Sequence, residues 1–273
     1  MGAVVSLFAV GPKISKSSLD GHEVLFLDEG SARSEFLLPN ESTVDLLLLD
    51  LPARHMPSWV NPYLAGVRST GGIAVSIDNI DLQSQVDMTF IPSFRGPATV
   101  VGAKVDLSVI FGWDCFLLNE NTEPINWQPG QRVLALTGGS DATNLGRNWP
   151  ALLDASLPES TELNWVTGPF AQAPVWPQTP RIRMTQHLAP RGLQHLMTTV
   201  NYAVTVYGVS FFELLQLGIP TVVFSPYGER DDPELQEIEQ EGLAIVAKDE
   251  KDATQKLIAL MNNEELAAQL SGT

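Results

Sequence analysis

The stretch VTVYGVSFFELLQLGIPTVVFSP, residues 204–226, carries one carboxylate, Glu213. Two glycine-bearing segments lie in the same half of the chain, Gly138-Gly139-Ser140-Asp141 and Tyr207-Gly208-Val209-Ser210. A carboxylate can accept a hydrogen bond from each hydroxyl of a ligand diol, such as that of a ribose. Glycines let a backbone approach a ligand closely. The free N–H groups and partial positive charge of a helix start suit an anion. The combination is suited to a nucleoside carrying a phosphate chain. Each part also has a plainer reading. Gly138 to Asp141 fits a tight turn in which Ser140 or Asp141 caps a helix. Ser210 and Glu213 have the spacing of a capping box, with the carboxylate satisfying the N–H at Ser210. The residues alone leave both readings open.

The elements needed to position these groups can be read from apolar runs and their breaks. Ala203 to Val206 reads as a buried strand, Phe211 to Leu217 as a helix with Glu213 in its first turn, and Thr221 to Phe224 as a second strand. Gly218-Ile219-Pro220 stops the helix, completing a β-α-β unit. Strands are also expected at 132–136, 163–166, 181–184 and 243–247, and helices at 144–153, 190–199, 232–240, 252–261 and 264–270. This alternation predicts a doubly wound α/β domain. The first half is less regular. Strands are expected at 4–10, 25–27, 44–49, 73–77 and 88–91, with a helix over 59–68 limited by Pro62. The unbroken run VDLLLLD predicts burial on both faces, as in a parallel sheet. Residues 105–120 show no clear period, and the polar stretch 119–130 reads as a linker. The expected domains are therefore 1–125 and 126–273.

Two first-half strands end in aspartate, Asp50 and Asp78. Ligands of open α/β sheets bind beyond the carboxyl ends of strands, so both are candidate catalytic carboxylates. Turn or cap chemistry is the plainer reading for each.

Composition narrows the function classes. The chain has 273 residues, is 44% hydrophobic and 18% charged, and has a formal net charge of −16. That is enough apolar sequence for a sizeable core. The acidic balance argues against a nucleic-acid or anionic-membrane partner, although local N–H groups can still hold one small anion. No run reaches the roughly 20 apolar residues of a membrane span, and GAVVSLFAV reads as a strand rather than a signal peptide. The single cysteine, Cys115, reads as a small buried hydrophobe, and its lack of an internal pairing partner fits a cytoplasmic protein. His22, His55, His187 and His195 form no metal-binding spacing, so no metal and no cofactor are expected. His187 is placed in a loop and His195 in a helix, partly buried. The acidic run 229–241 reads as a solvated helix face.

GVSFFELLQLGIPTVVFSP resembles the nucleotide-binding segment of GT-B glycosyltransferases, including the C-terminal domain of the peptidoglycan N-acetylglucosaminyltransferase. TGGSDATN after RVLAL is more similar to the UDP-sugar hydrolase of the pseudaminic acid pathway and to the related spore-coat polysaccharide glycosyltransferases. Asp50, the IDN at 77–79 and FGWDCFLLNEN at 111–121 keep the order seen in those proteins, and the likeness covers about residues 22–265. It implies a GT-B-like α/β fold, with two Rossmann-type domains facing a cleft and the N-terminal one shortened. It implies that Glu213 binds the ribose of a UDP-sugar and that Gly208, Val209 and Ser210 contact the diphosphate. Gly138, Gly139 and Ser140 would face the diphosphate or sugar, and Phe170, after Gly168-Pro169, the base. The sequence also departs from the family. The glycine-rich loop and His-x-x-Arg helix of the hydrolases are missing after the first strand. His22 lies in a different context, Tyr207 replaces a glycine, Val209 replaces a small polar residue, and the C-terminus stops early. The expected activity is metal-independent glycosyl transfer to an unknown acceptor in cell-surface polysaccharide or glycoconjugate synthesis. Hydrolysis of the sugar C1–O bond and a non-catalytic binding role are the alternatives.

Overall fold

The computed structural model describes residues 7–10, 18–19, 22–27, 44–51, 58–93, 108–112, 115–116, 118, 123–190, 192–227 and 231–272. Residues 4–6 of the first expected strand, part of the linker, His55 and the segment lacking the His-x-x-Arg helix lie outside them. The chain divides into two compact units, Met1–Phe116 and Leu117–Thr273.

In the first unit, β1 (Leu7–Val10), β2 (Ser18–Leu19) and β3 (His22–Leu27) make a small sheet. There β3 pairs parallel with β1 and antiparallel with β2. A second sheet, all parallel, runs in the order β4 (Leu46–Asp50), β5 (Ile73–Ile77), β6 (Met88–Pro92), β7 (Val109–Gly112). The strand β7 falls in the stretch that showed no period in sequence. Helix α1 (Asn61–Ser69) connects β4 to β5. Pro62, expected to limit this helix, instead opens it from the first turn, where its missing N–H costs nothing. On one face of the sheet Leu49 and Ala74 pack with Val60, Leu64 and Val86. The other face corrects the expectation for VDLLLLD. Leu46 and Leu48 are 53% and 57% exposed, and Ile73, the β5 residue paired with Leu46, is exposed too. Leu46 to Leu49 are all apolar, but β4 is an edge strand with only one face covered.

The second unit contains β8 (Arg132–Leu136), α2 (Trp149–Ser156), β9 (Glu162–Thr167), β10 (Arg183–Leu188), α3 (Leu193–Met197), β11 (Tyr202–Val206) and α4 (Val209–Gln216). It continues with β12 (Thr221–Phe224), α5 (Asp232–Gln240), β13 (Ile245–Val246), α6 (Glu250–Met261) and α7 (Glu264–Ser271). Its six strands are all parallel, in the order β10-β9-β8-β11-β12-β13. Both faces are covered, and alternate residues of β8 show it. Val133 and Ala135 enter a cluster with residues of α2, α6 and α7, whereas Leu134 and Leu136 enter one with residues of α3 and α4. The helix expected over 144–153 is a short 3-10 turn, Leu145–Arg147, followed by α2, which Pro150 opens. The helix expected over 190–199 shrinks to α3. The strand expected at 181–184 runs further, to Leu188.

The segment entering this unit is held by side chains. Asn201 Oδ1 accepts from Arg132 N at 3.0 Å and its Nδ2 donates to Gln128 O at 2.9 Å, while Trp127 Nε1 donates to Asn201 O. Residues 127–132 are thereby fixed to the start of β11.

Candidate functional site

Strands β8, β9 and β10 succeed one another in one direction across the sheet, and β11, β12 and β13 in the other. The order reverses between β8 and β11, and at such a switch point the connections leave on opposite faces and open a crevice at the carboxyl ends. The segments Gly138–Ser140 and Tyr207–Ser210 leave the carboxyl ends of these two strands. The Gly138 turn lies against the end of β11, since a Cβ at Gly138 would fall 3.6 Å from Val206 Cγ2. Gly138 has φ 81°, a left-handed conformation that only glycine adopts without strain.

A third connection fixes the direction of the first. Gly168, just past β9, lies against the main chain of Gly138 and Gly139. A Cβ on Gly168 would fall 2.4 Å from Gly138 O and 2.3 Å from Gly139 O, and Phe170 N donates to Gly139 O at 2.9 Å. Both carbonyls therefore face the β9 side. In a planar trans peptide the N–H points opposite to its C=O. The N–H groups of Gly139 and Ser140 thus point away from Gly168, and neither makes a main-chain hydrogen bond among the described residues. On the β11 side, Val209 and Ser210 open α4, where the first N–H groups of a helix have no intrahelical partner. Phe211 N returns to Gly208 O at 2.9 Å. Four donors flank the switch point, a suitable lining for a diphosphate.

Glu213 departs from its expected position. With Val209 as the first helical residue it stands in the second turn, and α4 has no acidic residue in its first turn and no side-chain cap. The capping box is therefore not formed. Instead Glu213 lies one turn beyond Ser210 on the same helix face. Burial pushes its carboxyl pKa above the ordinary value of 4.5, and the Ser210 hydroxyl, donating to the carboxylate, partly offsets this. A raised folded-state pKa means that the folded chain holds this proton more tightly than the unfolded chain. Its stabilising contribution is complete below pH 4.5 and is lost as pH rises through the folded-state value. Glu213→Gln should therefore unfold at a higher temperature than the native chain at neutral pH. The difference should vanish on acidification, as thermal melts across pH 4–8 would show; an equal difference at all pH values would count against it.

The other candidates are distributed as follows. Asp50 ends β4 beside Ile77 of β5, and Asp78 follows β5 with φ 53°; both are exposed. They share the carboxyl edge of the first unit's sheet. Asn79 beside them carries turn chemistry: its Nδ2 donates to Leu51 O and its Oδ1 accepts from Asp81 N at 3.2 Å. His187 is on β10 rather than in a loop, its Nε2 3.0 Å from Asn164 Oδ1. His195, expected to be partly buried, is exposed on α3. Cys115 is buried, as expected. Among the described residues no helix is long and apolar enough to cross a membrane, and no three His, Cys, Asp or Glu side chains are placed to hold a metal. In the sequence Gly168 stands out only as part of the Gly168-Pro169 pair before Phe170.

No protein-family model matches the chain, and no curated protein matches it. Solved glycosyltransferase structures do resemble it. The spinosyn forosaminyltransferase SpnP is 15% identical, with a TM-score of 0.54 over 84% of this chain and 70% of that one. The calicheamicin glycosyltransferase CalG4 is 14% identical, with a TM-score of 0.45 over 84% of this chain and 68% of that one. The α/β fold, with its parallel sheets, matches that of GT-B glycosyltransferases.

Proposed function

We propose that this chain is a glycosyltransferase-like protein of cell-surface polysaccharide or glycoconjugate synthesis that binds a UDP-sugar. The observation that carries the reading is the pair of glycine segments that follow β8 and β11 at the switch point, with the Gly139 and Ser140 N–H groups turned away from Gly168 and Val209 and Ser210 opening α4. The fold-level likeness to SpnP supports a glycosyl group as the moiety handled.

In this reading Glu213 accepts hydrogen bonds from the ribose hydroxyls. Phe170, exposed and tied to Gly139 by its N–H, faces the base. As the sugar C1–O bond breaks, negative charge grows on the diphosphate oxygens. The N–H groups and the α4 dipole stabilise that charge without needing a metal. A general base takes the proton of the attacking hydroxyl, and Asp50 and Asp78 are the proposed candidates.

Calorimetry with UDP and UDP-GlcNAc tests the reading. The native chain should bind both. Glu213→Ala, which removes a charged acceptor worth about 1.5–3 kcal/mol, should bind roughly tenfold or more weakly. No binding by the native chain would sink the proposal. Where UDP binds, product analysis with and without an acceptor separates transfer, hydrolysis of the C1–O bond and binding alone.

A further inference from the structure

Asp141 follows the Gly138–Ser140 turn in a left-handed conformation, φ 46°, and is only 8% exposed. Its two carboxylate oxygens are both engaged: Leu145 N donates to Oδ1 and Gly146 N to Oδ2, each at 2.8 Å. Asn144 N also donates to Asp141 O at 2.8 Å. Gly146 leaves little room around this carboxylate, since a Cβ there would lie 3.1 Å from Oδ2. Gly146 O in turn accepts from Val175 N at 2.8 Å. The downstream end of the turn is therefore clamped by Asp141, while Gly168 clamps its Gly138 and Gly139 carbonyls from the β9 side. Between these two anchors lie the peptide units that present the N–H groups of Gly139 and Ser140.

We propose that Asp141 is a positioning residue of the nucleotide site: by holding the N–H groups of Leu145 and Gly146, its buried carboxylate keeps the N–H groups of Gly139 and Ser140 aimed at the diphosphate. This rests on the UDP-sugar reading above. It differs from simple helix capping because it predicts an effect on ligand affinity separate from the effect on stability.

Asp154 is the matched control. It is also buried, and its Oδ1 accepts from Arg181 N at 2.7 Å and Ile182 N at 3.1 Å. It lies on α2, away from the carboxyl edge of the sheet. Asp141→Asn and Asp154→Asn each replace a charged acceptor of two main-chain N–H groups by an amide, and asparagine tolerates the left-handed φ at 141. Both variants should lower the melting temperature. Only Asp141→Asn should weaken UDP binding, by about tenfold, the loss expected when a charge-assisted hydrogen bond no longer fixes the donors; Asp154→Asn should stay within about twofold of the native chain on the same scale. Gly146→Ala, which crowds Oδ2 without removing the carboxylate, should shift UDP affinity in the same direction and serves if Asp141→Asn does not fold. If the native chain binds UDP and the Asp141 and Gly146 variants bind it equally well, the assignment is overturned alone. If Asp154→Asn weakens UDP binding as much as Asp141→Asn, the effect is one of stability and the assignment is likewise overturned. If the native chain binds no UDP, the nucleotide reading falls and takes the assignment with it.

Discussion

Replacing Trp149 by alanine should cost about 3–5 kcal/mol of stability, the usual range for removing a fully buried tryptophan. Trp149 has no exposed surface and makes edge-on contacts with Trp165 of β9 at 5.9 Å and Phe224 of β12 at 5.4 Å. Its Nε1 donates to Thr254 Oγ1 on α6 at 3.0 Å, and the Thr254 hydroxyl donates on to Glu250 O at 2.7 Å. One ring thus joins α2 to both halves of the doubly wound sheet and to a second helix. Its loss would leave a cavity walled by three elements that cannot all move inward together. Thr254→Val separates the polar part of this cost. It keeps the packing but leaves a buried indole N–H without its acceptor, worth about 1–3 kcal/mol. In urea unfolding followed by circular dichroism, Trp149→Ala should shift the transition of the second unit more than Thr254→Val does, and with little change in slope. A shift for Trp149→Ala no larger than that for Thr254→Val would show that the ring is not the joint described.

The sequence was legible where a local pattern and its tertiary environment agree. RVLAL after Arg132 and YAVTV apart from Thr205 are apolar, and both became central strands with two covered faces. VDLLLLD carries four consecutive leucines, yet β4 exposes Leu46 and Leu48. Nothing within the run says whether a second layer lies over it, because the covering element comes from elsewhere in the chain. The start of α4 failed for a related reason. Ser210 and Glu213 have capping-box spacing, but Gly208 ends the strand connection early enough for Val209 to begin the helix, and Glu213 moves into the second turn. Strand β7 was hidden because its four residues pair with β6 in register over a stretch too short to display a period. The glycine segments were found, but the direction of their N–H groups was not. That direction depends on Gly168, far along the chain from the turn it presses against.

Gly168→Ala tests that dependence, and should lower both stability and UDP affinity. The added methyl would meet Gly139 O at 2.3 Å, Gly138 O at 2.4 Å and Gly139 C at 2.5 Å, all main-chain atoms with no rotamer to escape into. Either loop 168–170 lifts from the turn, or the Gly138 and Gly139 peptides rotate. Overpacking of this kind costs about 1–3 kcal/mol. Lifting the loop would also strain the bond from Phe170 N to Gly139 O, and rotating the peptides would turn their N–H groups away from the switch point. Both routes disturb the site, which distinguishes this change from a core substitution of equal cost. At a temperature where the variant remains folded, its UDP dissociation constant should rise about tenfold, equivalent to one misdirected charge-assisted hydrogen bond. Trp149→Ala supplies the comparison, since it should be less stable than Gly168→Ala yet bind UDP better under the same folded conditions. If the two variants instead lose affinity in proportion to their stability, the carbonyl contacts of Gly168 only pack the loop and do not aim the donors.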